Sequence, residues 1–245
     1  GDALRIEVMK SLLDGLDKIR DSKGLSLYQS GAARPMMMWR GGQPRKTTVL
    51  IGLQGMASFR DDLRWTEVFS KQGIAFVALD QPGFLFGDKG LSEEGKKILE
   101  TLGKANLLVI VRRPDAVQAK ALLENSKKPV FLEMDSLPGQ EVIDLVKKTH
   151  SAIGLILGQN EDTASYFKRL DEAKKALGTG SLAIVTENCL WSDAGKEQML
   201  KVIGELLKAK YESEDLANLF SGTFMRVLSR VRTEEAARPA AFMPF

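Results

Sequence analysis

Residues 47–56 read TTVLIGLQGM, a β-branched and aliphatic run that ends on a polar side chain, Gln54, with Gly52 and Gly55 on either side. A strand of a buried parallel sheet carries one side chain to a ligand-facing rim in this way. Working outward, the same unit recurs: a short β-rich run, a turn, then a helix of ten or more residues. The pattern predicts strands at Thr47–Leu53, Ile74–Asp80, Leu107–Arg112, Pro129–Met134, Ala152–Leu157 and Leu182–Glu187. Helices are predicted at Phe59–Gln72, Glu93–Lys104, Asp115–Asn125, Gln140–Thr149, Asp162–Leu177 and Asp193–Lys210. Strict alternation with near-continuously apolar strands means an α/β parallel sheet covered by helices, either a barrel or an open doubly wound sheet.

Helix signals agree with this frame. Ser92 precedes Glu93 and Glu94, Ser58 precedes another helix, and Gly73 stands where a helix must stop. Before the repeat, Ala3–Arg20 spaces Leu4, Val8, Leu12, Leu16 and Ile19 as an amphipathic helix. Lys23–Lys46, with four glycines, two prolines and an apolar island at Met36–Trp39, reads as a long connection. A last helical piece starts at Ser213, passes through Gly222 and runs to about Arg232. The expected organisation is one domain over 1–232 and a tail over 233–245.

The 245 residues are enough for one large α/β domain, and 44% apolar with 27% charged residues is ordinary globular composition. A net charge of +3 without a basic stripe argues against nucleic acid as a partner. No apolar run approaches the length of a membrane span, and the single cysteine, Cys189, allows no internal disulfide. The chain opens at Gly1 without Met, which suggests a trimmed leader or a missing segment, and the expectation is an exported or periplasmic protein. Glycine-rich nucleotide loops, the G-x-S-x-G elbow and H-E-x-x-H are not found.

Residues 52–83, GLQGMASFRDDLRWTEVFSKQGIAFVALDQPG, followed by GLSEEGKKIL at 90–99, resemble in order and spacing the membrane-dipeptidase family of zinc peptidases. In that family a strand ends in Glu-Gly-Gly, a helix follows, the next strand ends in Leu-Thr-His, and a helix opens on Gly-Leu-Thr-x-x-Gly. YESEDLANLFSGTFMRVL at 211–228 is similar to the closing segment of the family, with Thr223 where an Asn is expected. The resemblance runs from about Ala3 to Leu228 and implies a TIM-type (β/α) barrel, incomplete or modified at its first two strands. Six strands are found where the family has eight, so the connection at Lys23–Lys46 or a homodimer is expected to cover the gap.

The resemblance also implies a site. The family uses two zinc ions, held by His and carboxylate ligands, to turn a bridging water into hydroxide. Carried onto this chain, the bridging Glu falls on Gln54, a substrate-binding His on Gln81, and two ligand histidines on Arg113 and Met134. The acid/base Asp falls on Glu187. A guanidinium is permanently charged and cannot coordinate zinc. The sole histidine, His150, ends a helix before a strand, on the face where barrels keep stability residues. No metal residues or cofactor are therefore assigned. Arg113 is expected to pair with Glu187 in place of metal, with Arg112, Glu133 and Asp135 nearby. The functional expectation is a dipeptidase-like barrel without its binuclear zinc site. It would be a non-catalytic binding or structural module for a small peptide or amino-acid-like ligand. The alternative is a hydrolase or peptidase, of dipeptidase type or working without metal through rim carboxylates such as Glu187 and Asp80.

Overall fold

The computed structural model describes residues 25–27, 47–55, 63–80, 82–87, 90–187 and 192–232, with Asp14 and Lys18 as isolated helical positions. The island at Met36–Trp39, Gln81, Cys189 and the tail at 233–245 lie outside the described residues, as does the predicted helix at Ala3–Arg20 apart from those two positions.

Six parallel strands form the main sheet, in the order β10-β9-β8-β7-β4-β3. They are β3 (Ile51–Gln54), β4 (Ile74–Leu79), β7 (Leu108–Arg112), β8 (Val130–Met134), β9 (Ala152–Leu157) and β10 (Leu182–Thr186). Each follows the last in space, and the sheet curls into a half-barrel, an incomplete TIM-type barrel. The wrapping helices are α1 (Trp65–Lys71), α2 (Glu93–Lys104), α3 (Ala116–Asn125), α4 (Gln140–Lys148), α5 (Thr163–Leu177) and α6 (Asp193–Lys208). A two-residue hairpin pairs β5 (Phe86–Gly87) with β6 (Gly90–Leu91).

Local chemistry sets these boundaries. All six residues of β9 are buried, the mark of a strand covered on both faces. Ser92, Asp115, Asp162 and Ser192 cap α2, α3, α5 and α6 through their side chains, and Asp115 with Gln118 completes a capping box. Asn106, His150 and Lys210 follow helix ends in the left-handed conformation that stops a helix. For that reason the last wrapping helix ends at Lys208, short of the expected Lys210.

The expected first strand is divided. β2 (Thr47–Val49) and β3 are separated at Leu50, and the pairing with β4 shifts register at Ile51/Gly52. A side chain at Gly52 would meet the Phe76 ring, with a Cβ only 2.0 Å from it. Within the long connection, β1 (Leu25–Leu27) runs parallel to β2 in a separate two-stranded sheet, Leu25 opposite Thr47.

Two apolar layers flank the sheet. Val77, Val109, Leu132, Leu155 and Leu182 face the wrapping helices. Ala75, Leu108, Ile110, Phe131, Ala152 and Ala183 face inward, onto Val227, Leu228 and Val231 of the final helix, α8 (Thr223–Arg232). This helix continues α7 (Ser213–Ala217) through a single π-turn, Asn218–Gly222. Phe224 sets its ring edge-on to Phe76 at 5.7 Å and to Phe131 at 5.4 Å, giving the half-barrel an aromatic floor. Polar bonds seat α8 at the N-terminal end of the sheet. Arg232 Nη2 donates to Ile74 O at 2.5 Å, Thr223 Oγ1 to Thr179 O at 2.7 Å, and Lys128 Nζ to Val231 O at 3.1 Å.

On β9 the inward position beside Phe131 is Gly154, where a Cβ would stand 2.5 Å from Val185 Cγ2 and 2.6 Å from Phe131 Cε1. Overpacking of this kind displaces both neighbours, so Gly154→Ala is expected to lower unfolding free energy by about 1–3 kcal/mol, measured by urea denaturation.

Candidate functional site

Above the aromatic floor, at the C-terminal ends of the strands, the inward positions turn from apolar to charged. Strand alternation does this: Phe131 and Glu133 point inward, while Leu132 and Met134 point to the helices. Arg112 pairs in register with Glu133, and Leu79 with Val111, so Asp80, Arg112 and Glu133 lie in one row across β4, β7 and β8. Gln54, at the end of β3, donates its side-chain amide to Asp80 Oδ2.

Arg113 follows at once, at φ +50°, and it stands at no helix end. A left-handed non-glycine residue there carries backbone strain that its surroundings must hold. They do. Its Nε and Nη2 donate to Asp135 Oδ2 and Oδ1 at 2.8 and 3.0 Å, a fork on one carboxylate. Nη2 also donates to Glu187 Oε1 at 2.6 Å. Arg112 stands behind, with Nε 3.4 Å from Glu133 Oε2 and Nη2 3.7 Å from Glu187 Oε1. The Arg112 Nε is buried and has no hydrogen-bond partner.

These contacts tune the acids in opposite directions. The hydrogen bond from Arg113 holds the Glu187 carboxyl below the usual range, against a smaller effect of burial. Burial pushes Glu133 up in spite of Arg112, and the charge of Asp80 adds to the rise. The two carboxylates hold the Arg113 guanidinium all the more firmly in its charged form.

A third arginine braces the rim from outside. Arg169 of α5 donates Nε to Glu161 Oε1 at 3.0 Å and Nη2 to Ile156 O at 3.2 Å, and its Nη1 reaches the Asp135 carbonyl. Glu161 in turn accepts from Gly158 N at 3.0 Å. The guanidinium lies 5.3 Å over the Tyr166 ring, whose hydroxyl donates to Leu155 O at 3.0 Å. Burial pushes that phenol up. No linear motif marks Arg169 or Glu161, and the sequence reading missed both.

Of the residues singled out in the sequence, Gln54, Arg113 and Glu187 are brought to the mouth, and the expected Arg113–Glu187 pair forms. Met134 is not brought there. It is 7% exposed within the helix-facing core, because the inward positions on that strand end are Glu133 and Asp135. Gln81 lies outside the described residues. His150 is exposed at the opposite end of the sheet, after α4. Among the described residues no three His, Cys, Asp or Glu side chains gather as a metal site, and no helix is long and apolar enough to cross a membrane.

No family model matches the chain, and no curated protein matches it. Solved structures do. An amidohydrolase from Pseudomonas aeruginosa superposes with a TM-score of 0.60 at 17% identity, over 76% of this chain and 73% of its own. The probable dipeptidase PvdM from the same organism gives 0.61 at 14%, over 76% and 70%. The fold is that of the dipeptidase and amidohydrolase barrels. A metallo peptidase from Rhodobacter sphaeroides, liganded with a phosphinate mimic of the dipeptide L-Ala-D-Ala, matches at 0.61 and 11%, over 76% of this chain and 64% of its own. At these identities the likeness is one of fold, and the chemistry of this chain rests on its own rim.

Glu133 has a carboxyl raised by burial, so folding favours its protonated form, and its ionisation opposes folding as pH rises through that raised value. Glu133→Gln is accordingly expected to be more stable relative to the parent at pH 7 than at pH 4, read from urea midpoints at the two pH values.

Proposed function

We propose that this chain is a dipeptidase-type barrel whose mouth no longer holds a zinc pair and serves as a non-catalytic module binding a small peptide or amino-acid-like ligand. One observation carries the reading: the Arg113 guanidinium lies between Asp135 and Glu187, bonded to both.

The donor set does not fit two zinc ions. Zinc in hydrolases takes imidazole, thiolate or carboxylate ligands. Here the acids that could serve are bonded to guanidinium groups, Gln54 offers a neutral amide already turned to Asp80, and the lone histidine is at the far end of the sheet. A dication brought among them would meet the fixed charges of Arg112 and Arg113 at close range. Nor is Glu187 suited to serve as the base of a metal-independent hydrolysis. A general base works best with a pKa near the operating pH, and Glu187 is held below the carboxylate range by Arg113.

The charge balance speaks for the ligand. Four carboxylates, Asp80, Glu133, Asp135 and Glu187, face two guanidinium groups, and among the described residues Asp80 is partnered by an amide rather than a cation. A ligand amine at Asp80 would offset part of that negative excess in a half-buried setting where bare charge is costly.

Zinc analysis and calorimetric zinc titration of the purified protein, with dipeptide hydrolysis followed in the same samples, test the reading. The expected outcome is no tight zinc and no turnover, together with a rise in melting temperature on adding amino acids or dipeptides that Asp80→Asn removes. Two tight equivalents of zinc with turnover would refute it.

A further inference from the structure

We propose that Arg112 and Arg113 form a staple of fixed positive charge that binds the C-terminal ends of β7, β8 and β10 together across β9 and so keeps the open half-barrel curled. This stands apart from the ligand reading and holds whether or not the mouth binds anything.

Three observations meet in it. The first is span. β7 and β10 are separated by β8 and β9, three strand spacings, roughly 14 Å in a flat sheet. Side chains rising from a flat sheet would not close that gap, yet Arg113 Nη2 and Glu187 Oε1 are 2.6 Å apart. Curvature brings inward side chains toward one another, and the ion pair in turn resists flattening.

The second is that β9 leaves the path clear. Its inward positions are Gly154 and Ile156, and Gly158 follows at the rim. A Cβ on Gly158 would lie 3.5 Å from Glu161 Cβ and 4.0 Å from Glu187 Oε2. The third is the Arg113 backbone, held left-handed while its N–H still donates to Glu133 O at 2.7 Å. The main chain stays in the β8 ladder, and the side chain is thrown across the mouth.

A closed barrel needs no such device, since every strand has two neighbours. Among the described residues the sheet ends at β10 and β3, and the two arginines tie β7 to β8 and β10 within it. The network carries this tie rather than any one pair. Glu187 and Glu133 side chains are 27% and 18% exposed, whereas Arg113 and Asp135 are 42% and 60% exposed, so an isolated pair would be screened by water and the coupling comes from Arg112 and Arg113 acting on Glu187 together. Arg169, gripping the Asp135 carbonyl and Glu161, keeps the loops after β8 and β9 in register with the staple.

The test compares the parent protein with Arg113→Gln, Glu187→Gln and the double variant, unfolded in urea at pH 7 and pH 4, with amide exchange followed along the sheet. The two positions are expected to couple by more than the roughly 1.5- to 5-fold in unfolding equilibrium constant typical of exposed pairs. In Arg113→Gln the amides of Ala183–Thr186 are expected to exchange at least tenfold faster, while those of Ile74–Leu79 stay unchanged.

The pH arm follows from the lowered Glu187 carboxyl. Its pairing stabilises the fold above the ordinary glutamate range and is lost as pH falls through the folded value, so the gap between parent and Arg113→Gln narrows at pH 4. Arg112, Asp135 and Glu161 also face this carboxyl, from β7, β8 and the loop after β9. The Glu187→Gln background removes its titration and should flatten the dependence. Should Arg113→Gln fail to fold, Arg113→Lys keeps a charge without the fork and is read in the same way. Coupling within the exposed-pair range, or faster exchange spread equally over β4, would overturn the staple.

Discussion

A parallel sheet with apolar side chains on both faces must be covered on both, and the rest of this structure follows from how the second face is covered. The outer face receives the helices that the βα repeat supplies as a matter of course. The inner face, which a closed barrel fills by converging on itself, is filled here by α8. Its valines and leucine lie on a bed of small and branched residues, and Phe224 wedges between Phe76 and Phe131. Gly52 and Gly154 exist to admit those rings. The aromatic floor sets the depth of the mouth, because everything inward of it is dry and everything beyond it carries charge.

Charge at that depth is only tolerable when paired. The rim answers with guanidinium groups that cannot lose their protons, placed so that both arginines reach the ends of the same two strands, β8 and β10. Glu187 and Glu133 are perturbed in opposite directions beside the same pair of arginines, one acid lowered by a direct bond and the other raised by burial that the arginines only partly offset. The fold is shared with hydrolases, but the order of charges at the mouth is that of an ionic lattice, with fixed cations inside and, among the described residues, Asp80 bonded to an amide at its edge.

Much of this is legible in the sequence. The βα alternation, the caps at Ser92, Asp115, Asp162 and Ser192, and the long apolar run at Ala152–Leu157 give strand and helix positions to within a residue or two, except for the helix expected at Phe59–Gln72, where Leu63 and Arg64 form a turn and the helix starts at Trp65. Local signals of that kind are set by a few neighbours. The side of a strand on which a residue lies is less secure. A shift of one residue moved Met134 from mouth to core and gave its place to Glu133 and Asp135, since alternation turns an error of one into an error of face. The short strand at Leu25–Leu27 escaped notice because three residues carry no period. Arg169 and Glu161 escaped it because they meet the rim only through folding.

The inner face also has a history in time. The bond from Arg232 to Ile74 spans 158 positions of sequence, and the residues that roof Ala75, Leu108 and Phe131 are among the later ones to leave a ribosome. While the earlier strands emerge, their helix-facing side finds partners as each βα unit is completed, whereas the opposite side stays bare until Thr223–Arg232 is synthesised. For that interval the apolar inner face lacks the cover of Val227, Leu228 and Val231, so its packing is completed by residues far along the chain from the strands they cover.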